Sequence, residues 1–379
     1  MIDVTKTAPG VYIDEITPTG PIQGAGTSTA AFIGTVSKAD AVLNTPTAVT
    51  NWTAFVEQFG DYDTTKTLPF AVRGFFENGG TLAYVVAYKD TGQLDTALAA
   101  LRPLQDISLV CLPGVVDGPL QRKVITECEE LADRVAILDG AKDPTPLKAD
   151  GALQTQRKLL ESKSGFAALY WPWIKVIDPK NAQADPLSIP PSGHIAGIIA
   201  RSDTERGVHK APANEVIRGA IALDFLLDNT THGALNNLNI NGLRVFPGRP
   251  PMVWGARTTA PKDNTAWRNL NVRRLMSFIE DSIVAGTNWA VFEPNNIALW
   301  KRLELTISEF LTRVWQSGAL FGATAAEAFY VKIDQELNPP DKRALGQLFG
   351  EIGVAPVHPA EYIIFRIGMW DGGAQVTEV

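Results

Sequence analysis

DISLVCLPGVVDGPLQRKVITECEELADRVAILDG, residues Asp106 to Gly140, sets two short apolar runs either side of a charged, amphipathic stretch. The first run, Asp106 to Gly114, is too short for a helix and closes on Pro113 and Gly114, so it reads as a buried strand. From Pro119 to Arg134, Val124, Cys128 and Leu131 return to one face at helical spacing. RVAILDG, Arg134 to Gly140, is a second strand. A strand, a covering helix and a second strand make a unit whose strands run parallel.

The rhythm extends both ways. Upstream, AAFIGTV (Ala30 to Val36) and TLAYVVAYK (Thr81 to Lys89) read as strands. Asn51 to Gly60, Leu68 to Asn78 and Leu94 to Leu101 read as helices. Downstream, Ala152 to Ser162 is helical and FAALYWPWIKV (Phe166 to Val176) is a strand. Such alternation predicts an α/β domain with a mainly parallel sheet covered on both faces.

Past Asp178 the rhythm stops. Asp178 to Gly193 is Pro-rich and Thr231 to Pro251 is Asn/Gly-rich, which predicts long loops and a domain junction. Beyond residue 241 lie six of the nine tryptophans, and they predict an aromatic core for a second, α+β domain. Two helices dominate it, from about Thr265 to Ala285 and from about Asn295 to Ser317. On the second, Trp300, Leu303, Ile307 and Phe310 are the predicted core face. Both ends carry isolated strand candidates: PGVYIDEI, with Val11, Tyr12, Ile13 and Ile16, and Tyr362, Ile363, Ile364, Phe365 and Ile367. The expected layout is an arm over residues 1–22, an α/β domain over 23–240, an α+β domain over 241–361 and a strand arm with tail over 362–379.

Composition removes several functions. The chain holds 34 Lys and Arg against 41 Asp and Glu, a net charge of −7, with no basic run to follow a phosphate backbone. Cys111 and Cys128 make no disulfide framework or zinc pair, and His194, His209, His232 and His358 stand at no metal-ligating spacing. GAGTST lacks the lysine of a phosphate loop. No apolar run reaches the ~20 residues that span a bilayer. The opening MIDVTKTAPGVYIDEI lacks a basic, then apolar leader, which predicts synthesis in the cytoplasm without direct membrane insertion. GTSTAA with Ser28 and SGHIAG with His194 resemble the serine and histidine settings of subtilisins. Here, however, the serine precedes the histidine, and it lies in a Thr-rich linker. No catalytic residue, cofactor or metal is therefore expected. Arg273 and Arg274, ahead of Glu280 and Asp281, read as salt-bridging surface groups.

The second half resembles the contractile tail sheath family of myophage tails, R-type bacteriocins and extracellular contractile injection systems. The resemblance is carried by Pro190 to Glu215 (PPSGHIAGIIARSDTERGVHKAPANE), Asn241 to Thr259 (NGLRVFPGRPPMVWGARTT), Trp267 to Ile283 (WRNLNVRRLMSFIEDSI) and Asn288 to Asn296 (NWAVFEPNN). Gly318 to Lys332 and Ala355 to Ile367 continue it, and Ala8 to Ile16 looks like the family's N-terminal arm. The resemblance implies a structural subunit that polymerises helically with itself around an inner tube. Its further partners would be baseplate and tail-terminator or cap proteins, with no nucleic acid, in a phage-tail-like particle. It also implies an outer α/β domain and an inner domain facing the tube. The two terminal strands would be donated to neighbouring subunits, since free strand edges invite pairing. A tube or shell subunit that never contracts would share this chemistry.

Overall fold

Parallel strands pair only when crossovers return over the sheet, and the chain supplies these from its first described residues. The computed structural model describes residues 21–365, and the strand positions expected at Val11, Tyr12, Ile13, Ile16 and Ile367 lie outside them. Strands β1 (Ala30–Gly34) and β2 (Thr47–Val49) precede helices α1 (Trp52–Phe59) and α2 (Leu68–Glu77). Then β3 (Ala83–Ala87), α3 (Leu94–Leu101), β4 (Leu109–Cys111), α4 (Gly118–Leu131), β5 (Val135–Asp139), α5 (Ala152–Leu159) and β6 (Ala167–Trp171) alternate. The Asp117 side chain caps α4 by accepting from the Leu120 amide at 2.9 Å.

Two short strands, β7 (Ile174–Val176) and β8 (Leu187–Ile189), lead to α6 (Ser192–Arg206). Strands β9 (Glu215–Val216) and β10 (Ala220–Leu223), helix α7 (Asn229–Asn237), and strands β11 (Asn241–Arg244) and β12 (Met252–Val253) follow. Among the described residues the main sheet has nine strands in the order β2-β3-β1-β4-β5-β6-β11-β12-β9. The run from β3 to β11 is parallel, and β2, β12 and β9 join antiparallel at the two ends. β10, β7 and β8 form a separate three-stranded sheet.

The mainly parallel α/β fold matches the expectation, and three local readings do not. The Pro-rich stretch from Asp178 to Gly193 contains β8 and the start of α6. This helix is buried on all sides from Ser192 to Ser202, so it shows no amphipathic stripe to read. Its glycines look like breakers but serve close packing. A Cβ on Gly193 would lie 2.2 Å from the Ala71 carbonyl oxygen of α2, and one on Gly197 would lie 2.4 Å from that of Phe75. Second, the Asn/Gly-rich stretch contains α7 and β11. Strand β11 pairs with β6 in register Asn241 to Tyr170, so the main sheet continues past the boundary expected at residue 240. Third, Arg273 and Arg274 are buried rather than on the surface.

Helices α8 (Leu270–Thr287) and α9 (Ile297–Gln316) then carry the second core, followed by α10 (Ala325–Ala328), β13 (Phe329–Lys332), α11 (Pro340–Ala344) and β14 (Glu351–Val354). Asn296 caps α9 through the Leu299 amide, so the helix begins at Ile297. Ile307 and Phe310 pack with Leu275 and Ile279 of α8, while Trp300 and Leu303 form a smaller cluster with Leu299 and Ile333. The expected tryptophan core is thinner than read: Trp254, Trp267, Trp289 and Trp315 are half-buried. Arginines cover some of them, Arg273 at 4.4 Å from the Trp267 ring and Arg302 at 4.1 Å from that of Trp289. Strands β13 and β14 pair antiparallel as a two-stranded sheet, and Val331 and Ile352 turn toward the α8 and α9 core.

Phe310 is buried beside Phe278 with ring centroids 6.0 Å apart, so its loss leaves a cavity. Phe310→Ala is expected to destabilise the chain by about 3–5 kcal/mol in chemical denaturation. An unchanged midpoint would show that this face is not core.

Candidate functional site

The place where open parallel sheets usually hold ligands, beyond the carboxyl ends of the strands, is filled here by the chain itself. Asp139 ends β5. Its carboxylate accepts from the Ser192 amide and hydroxyl, both at 2.8 Å, and from the Gly114 amide at 3.0 Å. Burial pushes this carboxyl up to about 6, with the three hydrogen bonds opposing. The side-chain amides of Gln121 and Gln156 donate to the Asp139 carbonyl at 3.0 and 2.9 Å. What could be a crevice is thus a plug that seats the first turn of α6.

Ser28 and His194 are not brought together. The Ser28 hydroxyl lies 3.5 Å from Asp203 near the end of α6. His194 sits nine residues earlier on that helix, about 13 Å along its axis. Its ring packs so close to Gly74 that a Cβ there would lie 2.2 Å away, and burial lowers its pKa to about 4. It is a helix residue in the α2–α6 contact. Among the described residues no group of His, Cys, Asp and Glu could hold a metal ion.

The strongest electrostatic feature joins the sheet domain to the helices beyond it. Arg274 of α8 donates to Asp203 of α6 at 2.9 Å through one guanidinium nitrogen and to the Thr27 carbonyl at 2.8 Å through another. The two side chains of this pair are 3% and 4% exposed. Arg273, beside it, lies over the rings of Phe166 and Trp267 and donates to Glu280 at 3.1 Å. Asp281 does not join them. Burial, with Asp133 and Glu280 nearby, pushes its carboxyl up to about 6.

The segment before β1 is strapped to the helical domain. Ile22 is buried in the core of α8 and α9, its carbonyl accepts from Arg313 at 2.8 Å, and the Ala25 amide donates to Ser282 at 2.9 Å. The other end of the chain turns back to the sheet domain. Glu361 pairs with Arg257, with 3.0 and 3.1 Å contacts to one nitrogen, and the Tyr362 hydroxyl accepts from the Asn236 side chain at 3.2 Å. At this anchor, Tyr362, Ile363, Ile364 and Phe365 are 71–83% exposed and lie in no strand among the described residues. Among those residues, each strand of the β13–β14 sheet has one hydrogen-bonded neighbour. Two strands are marginal by themselves, and here α9 supports one face.

Among the described residues, then, the usual ligand crevice is plugged, and an exposed apolar C-terminal segment accompanies a small two-stranded sheet. The chain matches the family models for the phage tail sheath protein central domain over residues 89–259 and the phage tail sheath C-terminal domain over 262–369. The chain belongs to the phage tail sheath family. It is 29% identical over 260 residues to a putative prophage major tail sheath protein of Pseudomonas aeruginosa, across 66% of this chain and 62% of that protein. It is 24% identical over 194 residues to the tail sheath protein of Vibrio phage KVP40, across 50% of this chain and 28% of that one. The chain thus spans less than two thirds of the length of these curated relatives. The similarity is broader to the sheath of an extracellular contractile injection system, the PVC sheath complex in its contracted state. There the identity is 29% and the TM-score 0.79, over 96% of this chain and 97% of that one. The contracted helical sheath of the anti-feeding prophage gives 30% identity and a TM-score of 0.79, over 96% and 99%. The junction between the two family models, after residue 259, follows the last strands of the main sheet, about twenty residues beyond the boundary read from composition.

The joint was unreadable in advance because Asp203 and Arg274 are 71 residues apart and no local spacing pairs them. Asp203→Asn leaves Arg274 buried beside a neutral partner and is expected to cost about 3–5 kcal/mol in denaturant unfolding. A loss under about 1 kcal/mol would show that the pair is not what seats α8 on α6. Asp281 tests the neighbouring charge. Its folded-state pKa lies above the unfolded one, so the native chain binds more protons between about pH 4 and 6 and stability falls as pH rises through that window. Asp281→Asn is expected to raise the melting temperature at pH 7.5 by a few degrees and to lose that advantage near pH 4.5. An equal gain at both pH values would rule out this titration.

Proposed function

We propose that the chain is the repeating subunit of a contractile sheath: it polymerises helically around an inner tube and drives that tube forward on contraction. The observation that carries the reading is the coexistence, on one chain, of an exposed strand sequence with no partner and a two-stranded sheet with open edges. Donating Tyr362 to Ile367 to the β13–β14 sheet of a neighbour would satisfy both sets of backbone groups by β-augmentation. Such a contact is heterologous, and repeating it makes an open helix instead of a closed ring. The N-terminal arm, rooted at Ile22 in the α8–α9 core, would make a second link of the same kind. Baseplate and terminator proteins would bind where the lattice ends. In support, the solved neighbours include the anti-feeding prophage baseplate, 30% identical with a TM-score of 0.76.

The buried Asp203–Arg274 joint lets each subunit move as one body, so contraction would act on contacts between subunits. The driving free energy would come from subunit surface that the contracted lattice buries and the extended one leaves wet.

Proline at Ile364 separates exchange between chains from pairing within one. Proline removes a ladder donor. Because Ile364 is exposed and outside any strand of its own chain, Ile364→Pro is expected to leave the monomer's melting temperature within about 1–2 °C of the parent. Sheaths should be absent or short in electron micrographs. Normal sheaths would exclude donation through this strand, and equal pitch and diameter before and after a baseplate signal would make the assembly a static tube.

A further inference from the structure

Three of the chain's four histidines converge on one groove. His209 comes from the loop after α6, His232 from α7 and His358 from the C-terminal segment, around a cavity of about 660 Å³ that Trp254 also lines. The root of the C-terminal segment, Val357 to Ile363, forms one wall of it. Asn271 ties that wall to the loop, its side-chain amide lying 2.7 Å from the His209 carbonyl and 3.5 Å from that of Val357.

The charges around the imidazoles are mostly positive. His209 faces Arg206 and, with the opposite sign, Asp203, and burial and Arg206 hold it below its usual range. Asp203 is already paired with Arg274. Burial, then Arg244 and more weakly Arg257, hold His232 down, with the Trp254 backbone opposing. Lys210 is paired with Glu215, and the Glu361 carboxylate is committed to Arg257. His358 lies on the segment itself, its Nδ1 3.3 Å from the Asn269 side-chain oxygen. Protonating His209 and His232 adds cations to a groove whose carboxylates are already taken.

We propose that this groove is a pH-sensitive latch: with His209 and His232 neutral it holds the root of the C-terminal strand, and acidification charges the wall facing that root and releases the strand for exchange between subunits. The inference rests on the reading of Tyr362 to Ile367 as a donated strand. With docked-state pKa values below that of a free histidine, the latch is fully closed above pH ~6.5 and opens as pH falls below it. Asp139 and Asp281, each pushed up to about 6, line no part of the groove.

A bimane fluorophore on Ile363→Cys is quenched by Trp254 while the segment is docked, and the native Cys111 and Cys128 are buried. On the full-length subunit, fluorescence is expected to rise at least two-fold from pH 8 to 5. Trp254→Phe should abolish the quenching at pH 8. His209→Gln with His232→Gln should flatten the rise, and His209→Gln alone, at a half-buried position, should reduce it even if the double variant fails to fold. No rise down to pH 5 in a chain that remains folded by circular dichroism overturns the latch, as does a rise undiminished in the histidine variants. The label reads the isolated subunit, so a latch that opens normally while sheaths never form counts against the donated strand and leaves the latch standing.

Discussion

A carboxylate and a guanidinium withdrawn from water must find each other, and the Asp203–Arg274 pair makes that requirement the seam of the molecule. Asp203 stands near the end of the helix most deeply embedded in the sheet domain, and Arg274 in the first turns of the helix that opens the second core. Arg274 also holds the Thr27 carbonyl, so one guanidinium fixes three stretches of chain: the sheet domain, the helical domain and the lead-in to β1. Neither charge can leave alone without stranding the other in a low dielectric. The joint therefore ties the sheet domain and the helical domain into one body.

Two kinds of sheet meet at this joint, and they are protected differently. The nine-stranded sheet buries its parallel centre completely, and its antiparallel end strands are only two or three residues long, which blunts its edges. At the carboxyl ends of its strands, Asp139, Gln121 and Gln156 spend their hydrogen bonds on the α6 turn and on one another. The β13–β14 sheet has no such protection. Its outer face carries Tyr330, whose ring lies over Gly353, and among the described residues neither edge has a further strand.

The α/β rhythm was legible because each of its units is local. An apolar run of five residues, a cap such as Asp117 and a face set by Val124 and Cys128 all fall within a window that sequence periodicity samples. The face of α9 was legible for the same reason, with Trp300, Leu303, Ile307 and Phe310 all below 7% exposure. Helix α6 failed as a reading because complete burial erases amphipathic contrast and makes glycine a packing device. Strand β11 failed because Asn241 owes its place to backbone pairing with β6 and to side-chain bonds with Arg257, which its own sequence neighbourhood does not announce.

The chain's sequence alone determined the class of fold, the position of the second helical core and the family, since these rest on periodicity and on motifs contiguous in the chain. Tertiary structure alone decided which charges are buried, where the sheet domain ends and which histidines share a groove. His209, His232 and His358 look unrelated along the sequence, as do Asp203 and Arg274. Burial and electrostatic coupling depend on distance through space, and only the folded chain sets that distance.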